Sequence, residues 1–340
     1  MQDGTASVVG LCRVIPEVLP SASQHVNAHR TTTMNAVSAP SELLLWKQAV
    51  DRRLDALLPA HQDRKSVCGA MREGVLGAGK RVRPLMLMGV RHGFGEDPMQ
   101  LIDAACAVEM VHAASLFLDD LPCMDDALER RGRPALHVQY GEDVALLASV
   151  ALLSLAFRTV AACEGIRPDA RNEIVTLLAD TIGPCGLVQG QFQDLRANPQ
   201  AHDADALTAV NELKTGALFQ AAMSIPAIAA SADRSTIDDL RTCAGHIGQA
   251  FQLRDDLEDG VATANGRHVD VDGHPTLVTL LGPRNVRAKF DAHVQAASAM
   301  LGQLFPVDCV LRSLLDSMVP AERPRSSARL ASKPVPAGLA

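Results

Sequence analysis

Phe117-Leu118-Asp119-Asp120-Leu121-Pro122-Cys123-Met124-Asp125-Asp126 closes a long helical pattern that opens at Asp97-Pro98. Four carboxylates fall within eight residues, directly after an apolar run and before Glu129-Arg130-Arg131-Gly132-Arg133. Clustered anions repel one another, and nothing local neutralises these. The stretch is therefore either fully solvated or a holder of cations. All-oxygen ligands without soft donors suit Mg²⁺, usually shared with substrate phosphates.

The helical pattern extends outward in both directions. The 340-residue chain is 47% hydrophobic and rich in Ala and Leu, with one Trp, one Tyr and eight Phe. Ala and Leu favour helix, whereas the aromatics of a β-sandwich are scarce. Helices are expected over Glu42–Leu58 with Ser41 as N-cap, over Arg64–Leu76, and from the Pro84 region to about His92. More are expected over Val144–Cys163, Pro168–Leu195, Asp205–Ala222 and Thr236–Asp259, with a pair after Pro275. No alternating strand pattern appears. The chain reads as all-α, with one domain over residues 41–319. Residues 1–40 and 320–340 read as a disordered extension and a Pro/Arg/Ser-rich disordered tail.

Several classes are excluded on composition. A formal net charge of −7 argues against a nucleic-acid binder. The eight cysteines are scattered without a Cys-x-x-Cys pair, which points to reduced thiols and a cytoplasmic protein. The longest apolar stretch, Val144–Phe157, has the length of a buried helix rather than a membrane span.

A second acidic cluster, Asp255-Asp256-Leu257-Glu258-Asp259, places Asp255 and Asp259 on one helical face with Gln252 one turn earlier. Alone it is equally a solvated face. Two such clusters, each following an apolar helical run, favour a site for several Mg²⁺ ions across a bundle. The basic residues extend the pattern. Among only six lysines, Lys80 stands in Gly79-Lys80-Arg81-Val82-Arg83-Pro84, where a glycine turn meets a helix start and Lys80 and Arg83 share a face. That is an anion site, or else a solvated basic surface. Lys214-Thr215-Gly216 lies mid-helix among apolar residues, so the lysine is expected to face an anion. Arg130-Arg131 follow the first cluster, where they can clamp phosphates.

Two Mg²⁺-type clusters, basic anion sites and an apolar helical interior suit a substrate with a diphosphate head and a long apolar tail. The chain resembles the trans-isoprenyl diphosphate synthases, a prenyltransferase family. The resemblance rests on Gly79–Pro84, Glu109–Asp126 with Arg130–Pro134, Gly190-Gln191 with Asp194, Lys214-Thr215-Gly216 and Gly248–Asp259, in the family's order over most of residues 41–305. It implies an isoprenoid-synthase bundle around a deep central cavity, usually a homodimer, with no stable membrane insertion. Its substrates would be isopentenyl diphosphate and an allylic diphosphate, with three Mg²⁺ ions. By resemblance, Asp119, Asp125 and Asp255 bind Mg²⁺ directly, and Asp120, Asp126, Asp256 and Asp259 stand behind them or act through water. Arg130, Lys214 and Gln252 would hold the allylic diphosphate, with Thr215 facing the carbocation. Lys80, Arg83, His112 and Arg131 would hold isopentenyl diphosphate; His112 alone reads as a core histidine.

Product length is expected to be set beside the helix leading into Asp119. Family short-chain enzymes often close this channel with an aromatic where this chain has Ala114 and Ser115. With Met110 and Val111 as floor, a C20 product, geranylgeranyl diphosphate, is expected over C15 farnesyl diphosphate. The alternative is that Ala114 and Ser115 merely permit close helix packing. The chain departs from the family pattern at Leu118, at Gln189, and at Arg267 and His274, where lysines are usual. A class I terpene cyclase would be richer in aromatics and lack the Lys80–Arg83 site. A non-catalytic subunit would be expected to lose an acidic cluster.

Overall fold

The computed structural model describes residues 39–60, 63, 65–77, 79–196, 203–258, 276–305 and 310–318, with the backbone alone over 259–264. Arg267, His274, the side chain of Asp259, the tail and nearly all of residues 1–40 lie outside the described residues.

The helices run in chain order as α1 (Ala39–Leu57), α2 (Val67–Leu76), α3 (Val82–Gly93), α4 (Ile102–Asp119), α5 (Leu136–Tyr140), α6 (Glu142–Ala161) and α7 (Pro168–Ile182). They continue as α8 (Leu187–Arg196), α9 (Ala204–Asn211), α10 (Ala217–Ala229), α11 (Arg234–Ala264), α12 (Leu277–Leu281), α13 (Pro283–Leu304) and α14 (Val310–Met318). The all-α expectation holds. The one β element among the described residues is a hairpin pairing Glu129 with Pro134 and Arg130 with Arg133. Its two turn residues, Arg131 and Gly132, both have positive φ (55° and 74°), the geometry of a two-residue primed turn.

Local chemistry explains the boundaries. α1 begins at Ala39, before the expected Ser41 cap, because Pro40 suits a first turn whose N–H groups lack helical partners. Ser66 caps α2 through the Gly69 N–H at 3.2 Å, and Asp97 caps the 3₁₀ turn Pro98–Leu101 that leads into α4. The helix expected over Pro168–Leu195 is two helices, broken at Gly183-Pro184-Cys185-Gly186. Three helices, not two, follow Pro275 among the described residues. α11 continues to Ala264, so Asp255 lies well short of its end rather than in the anion-disfavouring last turn.

Two helices form the centre. In α4 every residue from Ala104 to Ala114 except His112 is buried, and small alanines let its neighbours approach. In α10 every residue from Leu218 to Ile228 except Gln220 is buried. α3 packs against both, α6 lies along α4, and α11 lies between α10 and α13. Each fully buried Leu, Met or Phe here contributes about 1.5–3 kcal/mol relative to exposure. Segments 98–119 and 142–161 are long and apolar enough to cross a membrane by length and composition; two-thirds of the first is buried inside the bundle. α6 is not the wholly buried helix expected, since Leu146, Leu147 and Val150 stand exposed along it.

His246 of α11 and His293 of α13 meet Nδ1 to Nδ1 at 2.9 Å. Such a contact needs one ring to donate and the other to accept, hence a neutral member. Burial, His246 and Lys289 all hold His293 below the ordinary imidazole range. The unfolded chain then takes up a proton, as pH falls through about 6.5, that the folded pair resists, so stability falls below that pH. His293→Gln is expected to flatten the thermal midpoint profile between pH 7 and 5. Parallel wild-type and variant profiles would refute this.

Candidate active site

α4 ends at Asp119, and the acidic stretch folds straight back on it. The Met124 N–H donates to the Leu121 carbonyl at 2.8 Å, with Pro122 supplying the fixed φ of the turn, and the Asp125 N–H donates to the Asp119 carbonyl at 2.9 Å. Asp119 and Asp125 therefore line one wall of a cleft of about 950 Å³. Asp255 of α11 lines the same cleft, as do Lys214, Thr215, Gln252 and Arg130 and the basic set Lys80, Arg83, His112 and Arg131.

The remaining predicted ligands are placed differently. Asp120 is buried and turned onto Arg130, which reaches it at 2.5 and 2.6 Å. Asp126 is exposed with φ 48°. Asp256 is buried and accepts from the Gln252 amide at 3.0 Å, while the Thr215 hydroxyl donates to the other end of that amide at 3.3 Å. Gln252 is thus held between Thr215 and Asp256, with its oxygen toward Thr215.

Burial pushes the Asp119 carboxyl up to about 6; Asp125 and Asp120 add to the rise, and Lys214 and Arg130 oppose it. A buried carboxylate beside two others is what a divalent cation relieves, and the donor set is all oxygen, as Mg²⁺ prefers. No group of three or more His, Cys, Asp or Glu side chains among the described residues is close enough to cage an ion. Asp119, Asp125 and Asp255 therefore fit Mg²⁺ as partial shells that phosphate oxygens and water complete.

The same cleft also has cationic lining. Arg83 lies over the Phe219 ring at 4.3 Å, approaches His112 Nε2 at 3.4 Å, and has a buried Nε with no hydrogen-bond partner. Burial pushes the Arg83 guanidinium down to about 10; Arg131 adds to the fall, and Glu109 and Asp255 oppose it. It stays charged at neutral pH and offers an unmet donor. Burial, then Arg83 and Arg131, hold His112 well below the ordinary imidazole range, so it presents a neutral ring. It lines the cleft and is not the core histidine of the bland reading.

Lys214 and Thr215 ride on a π-turn, Glu212–Gly216, set between α9 and α10, which the sequence reads as uninterrupted helix. π-turns recur at functional sites. Glycines seat it. A Cβ on Gly190 of α8 would fall 2.5 Å from the Lys214 nitrogen, and one on Gly248 of α11 would fall 3.1 Å from Gly216 Cα.

Sequence reasoning includes three further residues in its motifs without giving them a role. Arg81, in the left-handed region at φ 55°, bonds Asp51 of α1 at 2.8 Å, Glu109 of α4 at 2.7 Å and the Val75 carbonyl of α2 at 2.8 Å. Asp194 of α8 holds the Lys214 ammonium at 2.7 Å. Arg254 stacks on Phe251 at 4.4 Å and pairs with Asp255 at 2.6 Å. Arg81 sits inside a basic motif whose charges look interchangeable, and only its left-handed backbone sets it apart. Ser115 lines the cleft, whereas Met110, Val111 and Ala114 are buried in the core and do not.

Residues 65–303 match a family model described as polyprenyl synthetase. The chain belongs to that family. It is 50% identical over 255 residues to a geranylgeranyl diphosphate synthase of Pantoea ananas, covering 74% of this chain and 84% of that one. It is 43% identical over 282 residues to another of Pseudescherichia vulneris, covering 82% and 92%. Among solved structures, an FPP/GFPP synthase from Zymomonas mobilis superposes with a TM-score of 0.72 at 32% identity, covering 82% of this chain and 98% of that one.

Glu109→Ala would leave the buried Arg81 short of one carboxylate. Breaking a buried pair in this way costs about 3 kcal/mol or more. The thermal midpoint is expected to drop by roughly 6 °C or more; a midpoint within a degree of wild type would remove Glu109 from the network.

Proposed function

We propose that this cleft condenses isopentenyl diphosphate with an allylic diphosphate, head to tail, to give geranylgeranyl diphosphate and diphosphate. The observation that carries it is that two chemically distinct sets of side chains, one acidic and one basic, line one cleft. The acidic wall, Asp119, Asp125 and Asp255, suits an anion only through divalent cations. The basic wall, Arg83 with its unpartnered Nε, suits one directly. Two diphosphates bound in two ways use both.

On this reading Lys214, Arg130 and Gln252 hold the allylic diphosphate, and Lys80, Arg83, His112 and Arg131 hold isopentenyl diphosphate. Mg²⁺, when bound, neutralises charge on the departing diphosphate. The allylic C–O bond breaks with its electron pair going to the leaving oxygen. The double bond of isopentenyl diphosphate attacks the allylic carbon, and the released diphosphate takes the proton lost from the adduct. The Thr215 and Gln252 oxygens face the cationic carbon, and the packed helices exclude water.

The C20 assignment is supported by the names of the two relatives at 50% and 43% identity and by the small buried side chain of Ala114, next to the cleft-lining Ser115. Incubation of purified protein with Mg²⁺, isopentenyl diphosphate and each allylic primer should yield C20 alcohols after dephosphorylation. A preparation that elongates none of the primers would refute the activity. Ala114→Tyr is expected to shift product toward C15 or shorter. Unchanged product from a destabilised variant would instead mean that residue 114 only packs helices.

We further propose a cytoplasmic homodimer built on the exposed stripes Leu146, Leu147 and Val150 of α6 and Val188, Phe192 and Leu195 of α8. Light scattering should give about twice 36.1 kDa, and Phe192→Glu should shift the mass toward one chain. A monomeric wild type would refute it.

A further inference from the structure

Lys214 stands between two claims. Its ammonium lies 2.7 Å from Asp194 and 3.7 Å from Asp125, and it also feels Asp119. It is mostly enclosed, and nearby carboxylates, Asp194 foremost, offset the loss of water around its charge. Asp194 is not in the acidic stretch and does not line the cleft. It lies one helical turn after Gly190, whose missing Cβ lets α8 touch the π-turn backbone at Lys214 itself. The glycine contact and the ion pair are therefore one device: α8 is brought into backbone contact, and its next turn presents a carboxylate. Gln191 of the same helix reaches Asp125 with its amide nitrogen at 3.4 Å, and its own oxygen is buried without a hydrogen-bond partner. α8 thus touches both the lysine and the first acidic cluster.

We propose that Asp194 is a positioning residue that draws the Lys214 ammonium off the Asp119–Asp125 pair and so leaves those carboxylates open to a divalent cation. Without it, the nearest available anions for an enclosed lysine are Asp125 and Asp119. An ammonium lodged there competes with the ion for the same oxygens. The inference deepens the proposed function and rests on its reading of the first acidic cluster as a cation site.

Asp194→Asn keeps the shape and removes the charge. The Mg²⁺ concentration for half-maximal rate is expected to rise about tenfold to a hundredfold, the range typical of outer partners of metal ligands. The maximal rate at saturating Mg²⁺ should fall less. Mn²⁺ binding to the protein with inorganic diphosphate, followed by electron paramagnetic resonance without turnover, should weaken by a similar factor. Asp194→Glu should restore most of both. Wild-type cation dependence in Asp194→Asn would overturn the proposal. So would an equal loss of rate at every Mg²⁺ concentration with Mn²⁺ binding unchanged, which marks a purely structural residue. A wild type that binds Mn²⁺ and diphosphate but transfers no isoprenyl group would sink the proposed function. The Asn variant's weakened binding would then still support the role of Asp194.

Discussion

The crowding of Asp119 against Asp125 and Asp120, beside a cleft that Asp255 also lines, is the constraint that the rest of the structure answers. At 4 Å, two like charges repel by about 4 kcal/mol in surroundings of intermediate polarity, far more than a surface pair feels in water. Several side chains moderate that repulsion without filling the cleft. Arg130 is bound to Asp120, Lys214 to Asp194, and Arg254 to Asp255. The acidic wall is thereby tolerable as it stands, yet it keeps oxygens facing inward. The basic wall behaves in the opposite way. Arg83 lies buried against an aromatic ring and a neutral imidazole, with a donor unused. An arginine so enclosed is costly unless an anion arrives, and this makes the wall selective for one.

The backbone bends its local rules in the same region. Of the four non-glycine residues with positive φ among the described residues, Arg81, Asp126 and Arg131 belong to the motifs around the cleft; Ser231 does not. Each left-handed residue costs roughly 1–2 kcal/mol, sustained only when tertiary contacts fix it. For Arg81, three helices supply the hydrogen bonds that fix it. For Arg131 the hairpin turn imposes the geometry, and it aims two consecutive arginines from one two-residue strand end. The π-turn at Lys214 is a third departure, held by glycine-mediated backbone contact from both sides. These distortions place charge where regular helices would not.

Helices were legible from the sequence because alanine, leucine and short capping signals act over a few residues. Ser66, Asp97 and Pro84 stand where such local chemistry puts them. The acidic clusters were legible too, since repulsion between neighbours in the chain needs no fold to be noticed. What escaped notice depends on partners distant in sequence. Asp51, Arg81 and Glu109 are unremarkable singly, and their bond network exists only once α1, α2 and α4 pack. The π-turn has no signature in its own residues, and the close backbone contacts on it come from Gly190 and Gly248 on other helices. The split at Gly183-Pro184 was the exception, a local signal overlooked because the apolar pattern runs through it. His112 was ambiguous for a sound reason: a histidine on an apolar helix face looks alike from either side until the cleft is located.

The same helix that ends in Asp119 also bears on how deep a tail can go. Ser115 reaches the cleft one turn below that aspartate, but Ala114, Val111 and Met110 are closed into the core around α4. On the proposed reading, a growing isoprenoid enters this layer only by parting side chains that are already packed. Each buried CH₂ contributes about 0.8 kcal/mol, so every added unit brings driving force, while each layer parted forfeits dispersion contacts. Growth ends where the second term overtakes the first. Alanine at 114 lowers the resistance of the first layer, since little volume stands there, and the larger Met110 raises it a turn further down. On that proposal, chain length would be a property of packing in α4 rather than of the acidic chemistry above it. The two can vary independently on one helix, which is how a common pair of walls can serve products of different size.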